Sequence, residues 1–147
     1  MDLGIKGKAA VVCGSSRGLG RACAEALAAE GVNVVINGRN VDDTEKTARE
    51  ISARWRVETA PVSGDLLNPD TPGILCEAVL GRFGRLDILI NNAGGPPPGT
   101  FNDFDDAAWE KAFQLTLLSA VRMIRTAIPH MAARKWGRII NLTSISV

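Results

Sequence analysis

The sequence predicts an α/β fold: a doubly wound parallel sheet with helices on both faces. Short apolar segments alternate with helical patterns along the chain, and this alternation is typical of a parallel sheet that is covered on both sides. Crossovers in such sheets are right-handed, which gives the doubly wound arrangement. Because the 147 residues contain no internal repeat or linker, we expect a single domain over residues 1–147.

Five apolar segments are the predicted strands, and the third of them is the weakest. They cover residues 9–13, 33–37, 56–62, 86–91 and 138–143. Four helical patterns lie between them, at residues 18–29, 40–55, 71–84 and 105–134. Asn40 and Asp43 form a predicted capping box at the second helix, and Pro72 suits the first position of the third helix.

The fourth predicted helix carries more apolar residues than one face needs. One stripe at helical spacing consists of Leu117, Val121, Ile124, Ile128 and Met131. Outside that stripe lie Phe113, Leu118 and Met123. We therefore expect a second face of this helix to be buried as well.

The composition argues against several classes of function. Lys and Arg number 17 against 16 Asp and Glu, so no basic surface for nucleic acid is expected. Three scattered cysteines and one histidine are too few ligands for a zinc site, and no metal site is predicted. We find no signal peptide and no apolar segment of membrane-spanning length. Unpaired thiols favour the cytoplasm.

A glycine-rich loop is the strongest functional feature. The run Gly14-Ser15-Ser16-Arg17-Gly18-Leu19-Gly20 joins the first strand to the first helix, with the spacing G-x-x-x-G-x-G rather than G-x-G-x-x-G. Glycines let a phosphate approach the backbone, and the helix N-terminus offers N–H groups and a positive dipole end. With Ser15 and Ser16 as hydroxyl donors, the loop predicts a Rossmann-type, dinucleotide-binding domain.

The end of the second strand predicts NADP(H) as the cofactor. In NAD(H)-binding sheets an acidic residue stands there, about 20 residues beyond the loop. Here the strand ends Asn37-Gly38-Arg39-Asn40, and no carboxylate occurs before Asp42. Arg39 and Arg17 are suited to bind a 2′-phosphate through paired donors. NADP(H) is therefore favoured over NAD(H), and the predicted site includes Asn40.

Four motifs in order resemble the short-chain dehydrogenase/reductase family, and within it the 3-oxoacyl-acyl-carrier-protein reductases. They are the glycine loop, Asp65-Leu66, Asn91-Asn92-Ala93-Gly94 and Ser144 after the last strand. The resemblance implies that Asp65-Leu66 contacts adenine, that Asn92-Ala93-Gly94 borders the cofactor and that Ser144 is the catalytic serine. Such a serine stabilises the alkoxide that develops during hydride transfer. Cys13 stands where threonine is commoner in the family.

The chain departs from the family pattern in two respects. A Tyr-x-x-x-Lys motif beyond the serine supplies the proton in the family, whereas this chain contains no tyrosine. Thr116 stands where the family has a relay asparagine, and it is the second candidate catalytic residue. We expect a fold truncated after the fifth strand. A fragment of a longer polypeptide, a truncated gene product and a natural binding module remain open as explanations.

These residues together predict an NADP(H)-dependent oxidoreductase of the 3-oxoacyl reductase type. Hydride would pass between nicotinamide and a small-molecule carbonyl or alcohol. The alternative is a non-catalytic dinucleotide-binding or interaction protein, which the absent tyrosine and Thr116 favour. The resemblance also implies a homodimer or homotetramer, because the family's long helix packs at a subunit interface. The 147-residue chain itself lacks a general acid and is expected to be inactive.

Overall fold

The protein is described by a computed structural model over residues 1–144. The strands are β1 (Ala9–Val12), β2 (Asn33–Gly38), β3 (Thr59–Ser63), β4 (Ile88–Asn91) and β5 (Arg138–Asn141). The helices are α1 (Gly18–Ala29), α2 (Val41–Trp55), α3 (Thr71–Phe83), α4 (Asp106–Phe113) and α5 (Ser119–Ala133). All strand pairs are parallel, in the order β3-β2-β1-β4-β5. The predicted doubly wound α/β fold is confirmed.

The sheet is buried on both faces because successive residues of a strand point to opposite sides. On one face, Ala9 and Val11 of β1 join a cluster with α3 and α5 that includes Leu75, Val79, Met123 and Ala127. On the other face, Ala10 and Val12 join a cluster with α1 and α2 that includes Ala24, Ala28 and Ile51. The two clusters form the hydrophobic core. They set the position of each strand along the sheet, and therefore the level at which its carboxyl end lies.

The edge strand β3 begins later than the sequence predicts. Arg56, the first residue of the predicted strand, has a φ of 56° and instead ends α2 by donating its backbone N–H to the carbonyl of Ser52 at 2.9 Å. The strand itself is only partly buried. Pro61 lies in its middle, and proline without an N–H is tolerated at a sheet edge, where it discourages pairing with another chain.

The long helix predicted at residues 105–134 is interrupted, which corrects the sequence prediction. α4 begins as expected, because the Asp105 side chain accepts a hydrogen bond from the backbone N–H of Ala108 at 2.9 Å. A π-helical turn at Gln114–Leu118 then separates α4 from α5. Because the π-helical turn is wider than an α-helical turn, the side chains after it point in different directions from those that a continuous α-helix would give. Within residues 1–144, none of the helices is long and apolar enough to cross a membrane.

The buried face of α5 also differs from the predicted apolar stripe. Leu117 and Ile128, which belong to that stripe, are about half exposed. The buried residues of α5 are Ser119, Met123, Ala127 and Met131. Met131 belongs to the predicted stripe and Met123 to the predicted second face, whereas Phe113 of that second face is half exposed. Small side chains such as those of Ser119 and Ala127 allow close helix packing. A prediction based on the spacing of large apolar residues does not take them into account.

A buried carboxylate joins the starts of three strands. The Asp87 side chain accepts hydrogen bonds from the backbone N–H of Ala9 at 2.9 Å and from both Nε and Nη2 of Arg85 at 2.5 and 2.9 Å. Its backbone carbonyl accepts from the N–H of Arg138 at the start of β5. Burial raises the pKa of Asp87, but Arg85 and the Ala9 N–H outweigh burial, so the pKa lies below its usual value.

We expect Asp87→Asn to lower the free energy of unfolding by about 3 kcal/mol at pH 7, because it leaves Arg85 and the strand starts without their charged partner. The folded pKa is depressed, so this stabilisation is present above the unfolded pKa of about 4 and is lost as the pH falls through the folded value. Urea denaturation at pH 7 and pH 3 measures both effects. Glu45→Gln, which removes an exposed ion pair with Arg49, is the control, and an equal loss in the two variants would contradict the prediction.

Candidate cofactor-binding site

A cleft of about 940 Å³ opens at the carboxyl ends of the strands, where open α/β sheets bind ligands. The loops that follow β1, β2, β3 and β4 form one side, and α4 forms the other. Most of the predicted cofactor-binding residues line this cleft: Gly14, Ser16, Arg17, Arg39, Asn40, Asp65, Leu66, Asn92, Ala93 and Gly94. The fold therefore brings the separate sequence motifs to one place.

The glycine loop turns tightly enough to exclude side chains at two positions. A Cβ at Gly20 would lie 2.3 Å from the carbonyl oxygen of Gly14. At Gly14, where φ is 55°, a Cβ would lie 2.7 Å from the carbonyl oxygen of Asn92. Arg17 is the extended residue before α1, and no side chain caps the first turn of this helix. The loop therefore forms a backbone cradle at a helix N-terminus, which suits a phosphate.

The two serines of the loop have different environments. Ser16 is partly exposed and lines the cleft. Ser15 is fully buried: its hydroxyl donates to the carbonyl of Val12 at 2.6 Å and accepts from the N–H of Asn37 at 3.0 Å. Ser15 thus holds the loop against the sheet and does not present its hydroxyl to the cleft, contrary to its predicted role as a hydroxyl donor.

Asn37 is a structural residue of the site that the sequence interpretation missed. Its side-chain oxygen accepts from the N–H of Gly14 at 3.1 Å, and its Nδ2 donates to the carbonyls of Val62 and Gly64 at 3.3 and 3.1 Å. One amide group therefore links the ends of β1, β2 and β3. A polar residue in an otherwise apolar strand was the available signal.

Asn92 links the fourth strand to the glycine loop. Its Nδ2 donates to the carbonyls of Cys13 and Gly14 at 3.3 and 3.1 Å.

Cys13 is buried, and burial raises the pKa of its thiol to about 12. The thiol is consequently neutral, and the residue serves as a packing group behind the loop.

The cleft is lined by three cationic residues and two carboxylates of the described chain. Arg17, Arg39 and Lys111 line it, together with the carboxylates of Asp43 and Asp65. The sequence interpretation did not include Lys111, because only the fold brings α4 opposite the strand ends. Arg39 lies two residues before α2, so the positive end of the helix dipole adds to the field of these cations.

The loops after β2 and β3 are fixed by local hydrogen bonds. The side chain of Asn40 accepts from the backbone N–H of Asp43 at 2.9 Å, which confirms the predicted N-cap of α2. The carboxylate of Asp65 accepts from the N–H of Leu67 at 3.0 Å, and its carbonyl accepts from the Thr71 hydroxyl at 2.6 Å. Leu66 is nearly buried beside it. Both loops thus present a defined surface to the cleft.

Besides Ser15, five predicted site residues do not belong to the described lining of this cleft, namely Gly18, Leu19, Gly20, Thr116 and Ser144. The Leu19 side chain is 73% exposed. Thr116 lies in the π-helical turn, and its hydroxyl donates to the carbonyl of Ala112 in the preceding turn at 2.7 Å. Ser144 is exposed and follows β5 at the carboxyl edge of the sheet. Their predicted roles remain predictions.

The fold and the cleft define an α/β protein of the Rossmann type with its ligand site at the strand switch point. The sequence profile of the short chain dehydrogenase family matches residues 8–147. The chain therefore belongs to that family, and the resemblance inferred from the sequence motifs is confirmed.

Relatives of this chain include several reductases and dehydrogenases. A 3-oxoacyl-[acyl-carrier-protein] reductase of Aquifex aeolicus is 31% identical over 145 residues, which cover 99% of this chain and 58% of that protein. The crystal structure of L-sorbose reductase from Gluconobacter frateurii, complexed with NADPH and L-sorbose, superposes with a TM-score of 0.94 at 39% identity, over 99% of this chain and 55% of that one.

A second solved structure holds the other nicotinamide cofactor. It is a 7α-hydroxysteroid dehydrogenase complexed with NADH and 7-oxo glycochenodeoxycholic acid, with a TM-score of 0.90 and 28% identity, over 96% of this chain and 55% of that one. The chain spans a little over half the length of these relatives. The two structural neighbours thus hold different nicotinamide cofactors, NADPH in one and NADH in the other.

The close approach within the glycine loop yields a direct test. We expect Gly20→Ala to weaken NADPH binding by about tenfold or more, because the added methyl group displaces the Gly14 carbonyl. Isothermal titration of the purified chain measures the effect. Gly81→Ala is the matched control, since a Cβ at this exposed position in α3 meets nothing within 4 Å. Unchanged binding in Gly20→Ala would show that the loop is not the phosphate site.

Proposed function

We propose that this chain binds NADP(H) and forms the cofactor-binding part of an oxidoreductase that interconverts a small-molecule carbonyl and an alcohol. The observation that supports the proposal is that Arg17 and Arg39 line the same cleft, while Gly38 stands where NAD(H)-binding sheets have an acid. The backbone cradle at Gly14 and Gly20 fits a pyrophosphate. The three free thiols support the predicted cytoplasmic location.

In this proposal each part of the cleft has a separate task. The N–H groups at the start of α1 bind the pyrophosphate, and Arg39 with Arg17 binds the 2′-phosphate. Asp65-Leu66 forms the adenine side, and Asn92-Ala93-Gly94 borders the nicotinamide side. When bound, the nicotinamide donates or accepts the hydride.

Ser144 is the proposed carbonyl-binding residue. It follows β5 at the same carboxyl edge of the sheet as the cleft, and its hydroxyl would donate to the substrate oxygen as negative charge develops there. The proton that completes an alcohol must come from a general acid. Because the chain contains no tyrosine, we expect the 147-residue chain by itself to bind cofactor without reducing ketones. The substrate is proposed only as a carbonyl or alcohol, with 3-oxoacyl thioesters as one candidate class.

A non-catalytic dinucleotide-binding protein is the second candidate. The observation that favours it is the Thr116 hydroxyl, which is bonded to its own helix at Ala112 and replaces an amide that could relay a proton. Both candidates share the cofactor, so cofactor binding tests what they have in common, and ketone reduction distinguishes them.

We expect the unmutated chain to bind NADPH about tenfold or more tightly than NADH, since a charge-assisted hydrogen bond contributes about 1.5–3 kcal/mol. Arg39→Asp should erase or reverse this preference, because a carboxylate repels the 2′-phosphate and can accept from ribose hydroxyls. Calorimetric titration with both cofactors is the measurement. Arg49→Asp, on the exposed side of α2, is the matched control. Equal affinities in the unmutated chain would rule out the NADP(H) proposal.

We propose in addition that the protein forms a homo-oligomer through α4. Trp109 and Phe113 of α4 and Leu117 of the following π-helical turn lie at four-residue intervals, and each is half exposed or more. The ring of Phe101 packs beside Trp109 at 5.9 Å between centroids. A contiguous apolar surface of this kind is typical of a protein interface. A second copy of the chain is the proposed partner.

We expect Phe113→Glu to shift the oligomer to a monomer, because burying the new charge in an apolar interface is costly. Light scattering at micromolar concentration, after size-exclusion chromatography, reports the mass. Ile74→Glu in α3 is the control, since Ile74 is exposed to a similar extent and lies on another helix. A strict monomer before mutation would refute the proposed assembly.

A further inference from the structure

A buried hydroxyl group of helix α2 is hydrogen-bonded to the backbone of the glycine loop. Thr47 is 2% exposed, and its Oγ1 donates to the backbone carbonyl of Ser16 at 2.8 Å. The two residues are 31 positions apart, so this bond is a tertiary contact and not part of the helix. It fixes the one serine of the loop that faces the cleft.

The space around Gly38 shows where the Ser16 hydroxyl lies. A Cβ at Gly38 would be 2.6 Å from Oγ of Ser16 and 2.7 Å from Oγ1 of Thr44. The Ser16 hydroxyl therefore sits directly over the end of β2, one residue from Arg39. The Thr44 hydroxyl donates to the carbonyl of Asn40 at 2.6 Å, so its proton is already engaged within α2.

We propose that Thr47 is a positioning residue for cofactor selection. By holding the Ser16 carbonyl, it keeps the Ser16 hydroxyl and the neighbouring Arg17 beside Arg39, so that all three donors face the 2′-phosphate of NADP(H). This inference rests on the proposed NADP(H) function and adds to it a residue that does not itself touch the cofactor.

The physical reason is preorganisation of the donors. Three donors on two separate loops bind one phosphate well only if the loops are already in place, because ordering them on binding costs affinity. Without its hydroxyl, Thr47 leaves the Ser16 carbonyl without this partner, and the loop can move away from the end of β2. The loss falls on the 2′-phosphate, which NADH lacks, so the preference for NADPH over NADH should decrease.

The experiment compares Thr47→Val with Thr47→Ser in the purified chain. Valine keeps the shape but removes the hydroxyl, whereas serine keeps the hydroxyl. Calorimetric titration with NADPH and with NADH gives both affinities, and thermal unfolding checks that each variant is folded. Thr126→Val is the matched control, because the Thr126 hydroxyl donates at 2.9 Å to Arg122 within its own helix α5, away from the cleft.

The expected result is a loss of about 3- to 10-fold in NADPH affinity for Thr47→Val, as one hydrogen bond predicts, with NADH affinity changed less than about twofold. Thr47→Ser and Thr126→Val should behave like the unmutated chain. An equal loss for both cofactors, or no loss for either, would overturn the positioning role while leaving an NADPH preference intact. Equal cofactor affinities in the unmutated chain would instead overturn the proposed function and this inference together.

A second variant covers the case in which Thr47→Val does not fold. Ser16→Ala removes the positioned hydroxyl and leaves the backbone carbonyl available to Thr47. We expect it to lower the affinity for NADPH more than that for NADH. If Ser16→Ala leaves the ratio of the two affinities unchanged, the Ser16 hydroxyl does not face the 2′-phosphate, and the role assigned to Thr47 is wrong.

Discussion

The close approach of backbone at the end of β1 is the constraint on which the rest of the site depends. Gly20 of α1 lies so close to the Gly14 carbonyl that there is no room for a side chain. Asn92, which follows β4, donates a hydrogen bond to the same carbonyl. This contact brings the helix N-terminus to the switch point of the sheet. Both the backbone cradle at the helix N-terminus and the position of Asn92 beside it follow from this contact.

Burial of the sheet on both faces makes this contact possible. The two apolar clusters hold β1, β2 and β4 in register with one another. The carboxyl ends of the three strands therefore lie at the same edge of the sheet. There Asn37 and Ser15 satisfy the backbone groups that the strands leave unpaired. The buried polar residues Asn37 and Ser15 therefore stabilise the strand ends, whereas Arg39 and Ser16 line the cleft.

Large parts of this arrangement could be predicted from the residues. The strands, the N-cap at Asn40 and the glycine loop are local signals, because backbone freedom, capping and apolar pattern act over a few residues. The buried face of α5 could be predicted only in part: Met123 and Met131 were expected to be buried, but Ser119 and Ala127 were not. It depends on the π-helical turn at Gln114–Leu118 and on small residues such as Ala127, whose value comes only from the surface they pack against.

The sequence by itself determined the fold class, the family and the region of the candidate cofactor cleft, since each depends on the order of local motifs. Only the tertiary structure decided what individual residues do there. Ser15 is directed inward and Ser16 faces the cleft, although they are neighbours of the same type. Lys111 lines the cleft and Thr47 reaches the glycine loop from distant segments. The physical reason is that these roles are set by contacts between elements, which local residue patterns do not encode.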